Sequence, residues 1–445
     1  MGGRHAQPRR APPAGPAARA HPRRGRPRRH AAGAHARDPR RRVRPARLPG
    51  RRPPRRHHPA RRGRRHRHAD RRARRRSDPA RAPRGRPGGD PGAVGRAVRA
   101  VNPWDAPRRP PYVIAEIGVN HDGSVERALE LTDAAADAGA DAVKVQVFCA
   151  DLLLSAAARL ASYQRDAGER DARAMLRRLE LGLDDLARVA DRARVRGIDA
   201  IATVFSVGLV AEADTIGWAA YKTASPDIVH RPLLEALAAT GRPMIVSTGA
   251  ATMDEVMRAA EWLTPARGRL ALLQCVSAYP TPIEHAALGG MADLRAALDL
   301  PVGYSDHTRE IDTGARAAAL GARILEKHLT HSRAAEGPDH AASLEPDRFA
   351  EYARRARQAY APPADAPAPA SVKAVLPIEA DTRRASRQSI VTRRALGPGE
   401  TITAKDVTFK RPGVGLEPWR LREVVGRRTA RAIPADTPIT GDDLR

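Results

Sequence analysis

The chain has 445 residues, 42% of them apolar and only 3% aromatic, and a formal net charge of +29. That length accommodates two or three domains at roughly 100–200 residues each, with ample material for a core. No run of about 18 apolar residues occurs, which excludes an ordinary transmembrane helix, and the N-terminus lacks the compact apolar stretch of a signal peptide.

The charge is confined to one end. The first 100 residues hold 34 Arg and 4 Asp with no Lys or Glu, a net of +30, while the rest of the chain holds 45 basic against 46 acidic side chains. Those 100 residues also contain no Ile, Phe, Tyr or Trp, so residues 1–105 are expected to be a disordered Arg/Pro/Ala-rich segment that cannot bury enough apolar surface to fold. Arginine density would attract phosphate polymers, yet the segment offers no aromatic stacking residues and no binding fold, so nucleic acid is not an expected partner of the rest of the chain. Arg, Pro, Ala and Gly share codons that begin with two G or C bases. The segment therefore has two readings, a real basic tail or GC-rich sequence translated upstream of the true start.

From Tyr112 the pattern becomes short apolar strands alternating with amphipathic helices. YVIAEIG, the helix SVERALELTDAAADAG and DAVKVQVF open the series. GIDAIATVF, AAYKTAS, PMIVSTG, RLALLQCV, LPVGYSD and ARILEKHLT continue it, giving eight predicted strands. Eight strand-helix units over about 250 residues are the size of a closed (β/α)8 TIM barrel, predicted over 106–361. No GxGxxG follows the first strand, which argues against an open dinucleotide-binding sheet. PPADAPAPA opens a predicted linker over 362–385, and 386–445 reads as a small β-rich domain of a size that is marginal unless docked. Cys149 and Cys275 are the only cysteines; they are too few for a disulfide framework and point to a reducing, cytoplasmic setting.

A barrel carries its chemistry at the C-terminal ends of its strands. The first strand ends in Glu116, with Asn120 and His121 beyond it, and the second carries Lys144 and Gln146 two residues apart and so on one face. Thr203 ends the third strand, Lys222 and Ser225 the fourth, and Ser247, Thr248 and Gly249 the fifth. Ser277 and Tyr279 follow the sixth, Ser305, Asp306 and His307 the seventh, and Glu326, Lys327 and His328 end the eighth. His307 and His328 on adjacent strands can share one divalent ion, with open positions suited to catalysis. Lys144 and Lys222 sit in otherwise apolar strands, where an ammonium requires an anion; Ser225, Ser247, Ser305 and the STG turn add donors suited to phosphate. TMDE at 252–255 is a helix capping box.

EIGVNHDG, DAVKVQ, YKTAS, STG, YPTP, GYSDHT, ILEKHLT, GPD and KRPGVG, in this order over about residues 112–445, resemble the sialic acid (N-acetylneuraminate) synthase family. The resemblance implies a barrel followed by an antifreeze-like (SAF) domain, in a domain-swapped homodimer whose small domain covers the partner's site. It implies a divalent metal, typically manganese, with magnesium or cobalt as substitutes, on His307 and His328 with Asp339 close by. It assigns phosphoenolpyruvate contacts to Lys144, Thr203, Lys222, Ser225, Ser247, Ser277 and Ser305. The sugar contacts it implies are Glu116, Gln146, Tyr279, Asp339 and Arg411, the last from the other subunit. Glu116, His307 and His328 are the implied catalytic residues. The sequence departs from the pattern at Val204, where many relatives read TPF, and at Ser277, where some have Asn. YQRDAGERDARAMLRRLEL, after the second strand, resembles the family's insert over the site.

The expected reaction is condensation of phosphoenolpyruvate with open-chain N-acetylmannosamine to N-acetylneuraminate and phosphate. Synthesis of legionaminic or pseudaminic acid is the alternative within the class. A Schiff-base aldolase or lyase using Lys222 or Lys144 is the rival outside it.

Overall fold

The computed structural model describes residues 102–105, 110–363 and 373–445; the segment expected to be disordered otherwise lies outside the described residues. Eight parallel strands close into a barrel in sequence order. They are β1 Tyr112–Glu116, β2 Ala142–Val147, β3 Asp199–Val204, β4 Ala220–Thr223, β5 Met244–Ser247, β6 Leu270–Cys275, β7 Val302–Asp306 and β8 Ile324–His328. Helices on the outside, such as Val125–Asp137, Leu183–Val195 and Pro346–Ala359, bury their apolar stripes against the outward faces of the strands.

Because side chains alternate along a strand, each strand presents one set of residues inward. The lower inward layer is apolar, built from Ile114, Ala142, Ile201, Ala220, Ile245, Ala271 and Ile324. Two residues on, the same inward faces carry Glu116, Lys144, Thr203, Lys222, Ser247 and Glu326, all buried. Register then sets who meets whom: Glu116 lies beside Lys144 on β2 and beside His328 on β8, and Ser305 lies beside Glu326. Lys327 and Asp306, the odd members of their strands, face outward and pair with each other at 3.1 Å beneath the Tyr352 ring. They belong to the wall and not to the mouth.

Two expectations from the sequence need correction. Disorder does not extend through residue 105: Trp104 is buried in the lower barrel layer, edge-on to Tyr112 at 5.5 Å, and the Asn102 amide donates to the Leu270 carbonyl at 2.9 Å. An indole is apolar bulk enough to order a short segment against a barrel floor. The predicted linker is also only partly a linker. Residues 364–372 lie outside the described residues, but the turn Pro377–Glu379 and helix Ala380–Ser386 pack on the barrel with Glu379 and Thr382 buried.

Beyond them, β9 Ser389–Thr392 pairs antiparallel with β10 Val407–Lys410. Ile390, Leu396, Ile402, Val407, Leu416, Val424, Ile433 and Ile439 form a separate small core. Its docking meets the marginality of so short a unit: the backbone of Arg411 pairs with Leu154, its N–H donating to Leu153 at 2.8 Å, and the Gln388 amide donates to the Phe205 carbonyl at 2.9 Å. Among the described residues no helix is long and apolar enough to cross a membrane.

Gly303 on β7 tests the closure of the barrel, since a Cβ there would collide with the backbone of Ile324 on β8. Gly303→Ala is expected to lower stability by about 1–3 kcal/mol, seen as a lower urea midpoint with an unchanged slope. An unchanged midpoint would show that the β7–β8 seam yields more readily than this packing implies.

Candidate active site

The strand ends open into a narrow, polar-lined cleft of about 110 Å3. At its floor lies a buried charge cluster. Lys144 Nζ pairs with the Glu116 carboxylate, donates to Thr203 Oγ1 at 3.1 Å and lies 3.8 Å from Glu326 Oε2. Lys222 Nζ is 2.9 Å from Glu326 Oε1, which also accepts from Ser305 Oγ at 2.8 Å. The anion that these lysines require is supplied within the protein, by Glu116 and Glu326. Glu326 was visible only as a strand-end residue, yet the i, i+2 spacing from His328 already places both on the inward face.

Electrostatics follow from burial and from this pairing. Burial alone would raise the Glu326 carboxyl, but the ammonium groups of Lys144 and Lys222 and the Ser305 hydroxyl hold it well below the usual carboxylate range. Burial pulls Lys144 down to about 7, with the Glu326 carboxylate opposing and the like charge of Lys222 adding to the fall.

On one side of the lysines the β4 and β5 ends form a small polar cradle. Ser225 Oγ donates to Ser247 Oγ at 2.8 Å and accepts the Gly249 N–H at 3.1 Å. Ser277 Oγ is buried without a partner, and a side chain at Gly249 would strike both Ser277 and Ser225, so glycine is what keeps this cradle open. Ser225 and Ser277 line the cleft, whereas Ser247 and Ser305 sit beneath it and hold Ser225 and Glu326.

On the other side, the His307 and His328 rings lie 5.5 Å apart. His307 Nδ1 donates to the Val276 carbonyl at 2.8 Å, leaving Nε2 as a free lone pair. His328 Nδ1 is buried with no hydrogen-bond partner, 3.8 Å from Asp339 Oδ2, and burial pushes the Asp339 carboxyl up to about 6. Among the described residues no three His, Cys, Asp or Glu side chains form a ready-made metal cage. Two imidazoles with an orphaned nitrogen and an adjacent carboxylate are nonetheless a donor set that fits a divalent cation with open positions.

Gln146 lines the cleft, its amide donating to the Gly118 carbonyl at 2.9 Å and to Glu116 at 3.4 Å. Tyr279 tilts over His307 at 4.0 Å and is itself stacked by Tyr163 at 4.8 Å. Tyr163 and Gln164 come from the insert after β2, whose irregular polar sequence gave no signal for individual contacts. Asn120 and His121 serve the loop instead: Asn120 donates to the Leu329 carbonyl and Ser343, and His121 Nδ1 accepts the Gly123 N–H.

Arg411 enters the cleft with its guanidinium 5.1 Å from the Phe205 ring. The resemblance assigned this contact to the other subunit; here the chain's own small domain makes it. The segment that leads to it meets the barrel through Glu379, Arg383, Arg387 and Gln388.

Comparison with known proteins agrees with this geometry. Residues 131–364 match the NeuB family and residues 387–445 match the SAF domain. The N,N'-diacetyllegionaminic acid synthase of Legionella pneumophila is 35% identical over 340 residues, covering 75% of this chain and 94% of the relative. The N-acetylneuraminate-9-phosphate synthase of Mus musculus is 29% identical over 352 residues, covering 77% and 94%. The crystal structure of the spore coat polysaccharide biosynthesis protein SpsE from Bacillus subtilis superposes with a TM-score of 0.63 at 31% identity, covering 76% of this chain and 95% of that one.

Removing Glu326 strands the buried Lys222 ammonium and leaves Lys144 with Glu116 alone. Glu326→Ala is expected to cost about 3–5 kcal/mol of folding stability, measured by urea unfolding. A loss below about 1 kcal/mol, the scale of an exposed pair, would mean that water reaches the lysines and that the cluster is not the floor of the site.

Proposed function

Because the chain belongs to the NeuB family, we propose that it condenses phosphoenolpyruvate with open-chain N-acetylmannosamine to give N-acetylneuraminate and phosphate. The chain is a transferase of the N-acetylneuraminate synthase type. One observation carries the substrate assignment: a single cleft holds two inward lysines beside Ser225 and Ser277, facing an imidazole pair and Asp339.

In this reading Lys144, Lys222 and Thr203 hold the phosphoenolpyruvate trianion, with Ser277 and Ser225, the latter held by the Gly249 N–H, around its phosphate. Gln146, Tyr279 and Arg411 hold the sugar with its aldehyde carbon against C3 of phosphoenolpyruvate. C3 attacks that carbon, and the aldehyde oxygen takes a proton to become a hydroxyl. Water adds to the cationic C2 that results and loses a proton, and the tetrahedral intermediate expels phosphate by C–O cleavage. Glu116, fixed between Lys144 and Gln146, orients the sugar and is placed to move a proton. A divalent cation, manganese or else magnesium or cobalt, would sit on His307 and His328 with Asp339 alongside, and when bound supplies Lewis-acid polarisation of the aldehyde oxygen.

The identity to the legionaminic acid synthase favours a second reading, with a diacetamido sugar as acceptor and a legionaminic- or pseudaminic-type acid as product. The proposed assembly is the domain-swapped homodimer, in which the contact that Arg411 makes here within one chain is made between two. Free Cys149 and Cys275 fit a cytoplasmic setting.

The test is phosphate release from phosphoenolpyruvate by the full chain, with N-acetylmannosamine and a panel of mono- and diacetamido sugars, with and without manganese. Release that needs both a sugar and the metal, and falls at least 100-fold in His307→Ala, is the expected result, and the preferred sugar names the product. Metal-independent turnover with borohydride trapping on Lys144 or Lys222 would replace this reading by the Schiff-base one.

A pH profile tests Lys144. The ammonium form binds the anion, and burial has lowered its pKa, so kcat/KM for phosphoenolpyruvate should be flat at acid pH and fall through a limb below the ordinary lysine value of about 10.4. A profile without that limb, from about pH 7 upward, would remove Lys144 as the titrating anion contact.

A further inference from the structure

Glu379 is fully buried, yet it comes from the turn that precedes the small domain and not from the barrel. Its Oε1 accepts two backbone N–H groups of the barrel mouth, Ala250 at 2.6 Å and Ser277 at 2.7 Å. Its Oε2 accepts the Leu376 N–H at 2.8 Å and closes its own turn. Ala250 directly follows Gly249, and Ser277 is the residue whose unpartnered hydroxyl faces the cradle. One carboxylate from the C-terminal segment thus bridges the loops after β5 and β6.

The Ala250 peptide is also clasped from its other end. Its carbonyl accepts from Arg383 and, at 3.2 Å, from Arg387. Both arginines are ion-paired with Glu255, in the first turn of the helix that this loop begins. Ala250 has a left-handed φ of 50°, a conformation that a residue with a Cβ holds only where its surroundings impose it. These surroundings are Glu379, Arg383 and Arg387, all from residues 379–387.

We propose that Glu379 is a positioning residue for the phosphate cradle: it fixes the loops bearing Gly249 and Ser277 so that the unpartnered Ser277 hydroxyl and Ser225, whose Oγ the Gly249 N–H holds, converge on one anion. This rests on the reading of the cradle as the phosphoenolpyruvate site. Glu379 does not touch the substrate. It acts through the two N–H groups it holds, and so makes the C-terminal segment part of the anion end of the cleft. Arg411 serves the opposite end.

Steady-state kinetics of full-length Glu379→Ala provide the test. The expected result is a rise of at least tenfold in KM for phosphoenolpyruvate, with kcat and KM for the sugar changed less than threefold. Glu379→Gln keeps an oxygen for the Ala250 and Ser277 N–H groups and loses only the acceptor for the Leu376 N–H, so its KM for phosphoenolpyruvate should rise less than in Glu379→Ala. Arg431→Ala, whose partner Asp443 lies within the small domain, should stay within threefold of wild type on all three. Equal losses in both KM values and kcat, or an unchanged KM for phosphoenolpyruvate, would overturn the assignment.

Amide hydrogen exchange reads the two loops without any activity. In Glu379→Ala, exchange at Ala250 and Ser277 should accelerate at least 100-fold while the β1 and β2 amides keep their protection. If wild type releases no phosphate with any sugar, the reaction assignment fails, and local exchange at these two amides still decides whether Glu379 fixes the loops. Unaltered exchange there would overturn the positioning role. Should Glu379→Ala not fold, Glu379→Asp, which withdraws the carboxylate by one methylene, is expected to show the same pattern at smaller amplitude, and wild-type exchange in it would overturn the role.

Discussion

Two lysines and two glutamates have to be buried together at the top of a barrel whose lower layer is wholly apolar. The alternation of side chains along the strands leaves no other arrangement: Ile114 below Glu116, Ala142 below Lys144, Ala220 below Lys222, Ile324 below Glu326. Closure then brings β8 back against β1, so that Glu326 reaches both ammonium groups and His328 stands beside Glu116. Such a cluster is poor as a stability device, because desolvating four charges consumes most of what their attraction returns. Its presence is better explained by what it holds ready than by what it stabilises.

The strands and their order were legible because each is a short apolar run, and polar residues such as Glu116, Lys144, Lys222 and Glu326 within or at the end of those runs take the inward, upper positions. What sequence reasoning missed was the partner of each interruption. Lys144 and Lys222 each require an anion, and Glu116 and Glu326 interrupt their own strands at the matching height. The pairing depends on barrel closure, and closure is not visible in any one segment. Tyr163 was missed for another reason: the insert after β2 has no period to show which side faces the site. Glu379 was beyond reach, since its partners Ala250 and Ser277 are 129 and 102 residues away and its own turn reads as the end of a linker. Trp104 gave a signal that was overlooked, being the one large aromatic at the edge of a segment without any.

The cleft is consequently a composite of two cores. The barrel contributes the charge cluster, the cradle and the imidazoles; the C-terminal segment contributes Arg411 at one side and the Glu379, Arg383 and Arg387 clasp at the other. A docked unit of this size gains stability from the barrel, while the barrel gains fixed loop conformations. Coupling of this kind passes through hydrogen bonds at named peptides, so loosening the small domain and disordering the cradle are one event described from two sides.

Charge accounting places a further demand on the proposed reaction. In the cleft as it stands, Lys144, Lys222 and Arg411 are answered by Glu116, Glu326 and Asp339, so the fixed side-chain charges sum to about zero. Admitting a trianion to this balance would bury about three uncompensated negative charges, and two lysines already paired with carboxylates cannot offset that. The imidazole pair is the place where the proposed divalent cation would add positive charge. With such a cation, phosphoenolpyruvate affinity and occupancy of the His307/His328 site would be thermodynamically linked, each strengthening the other by the same factor.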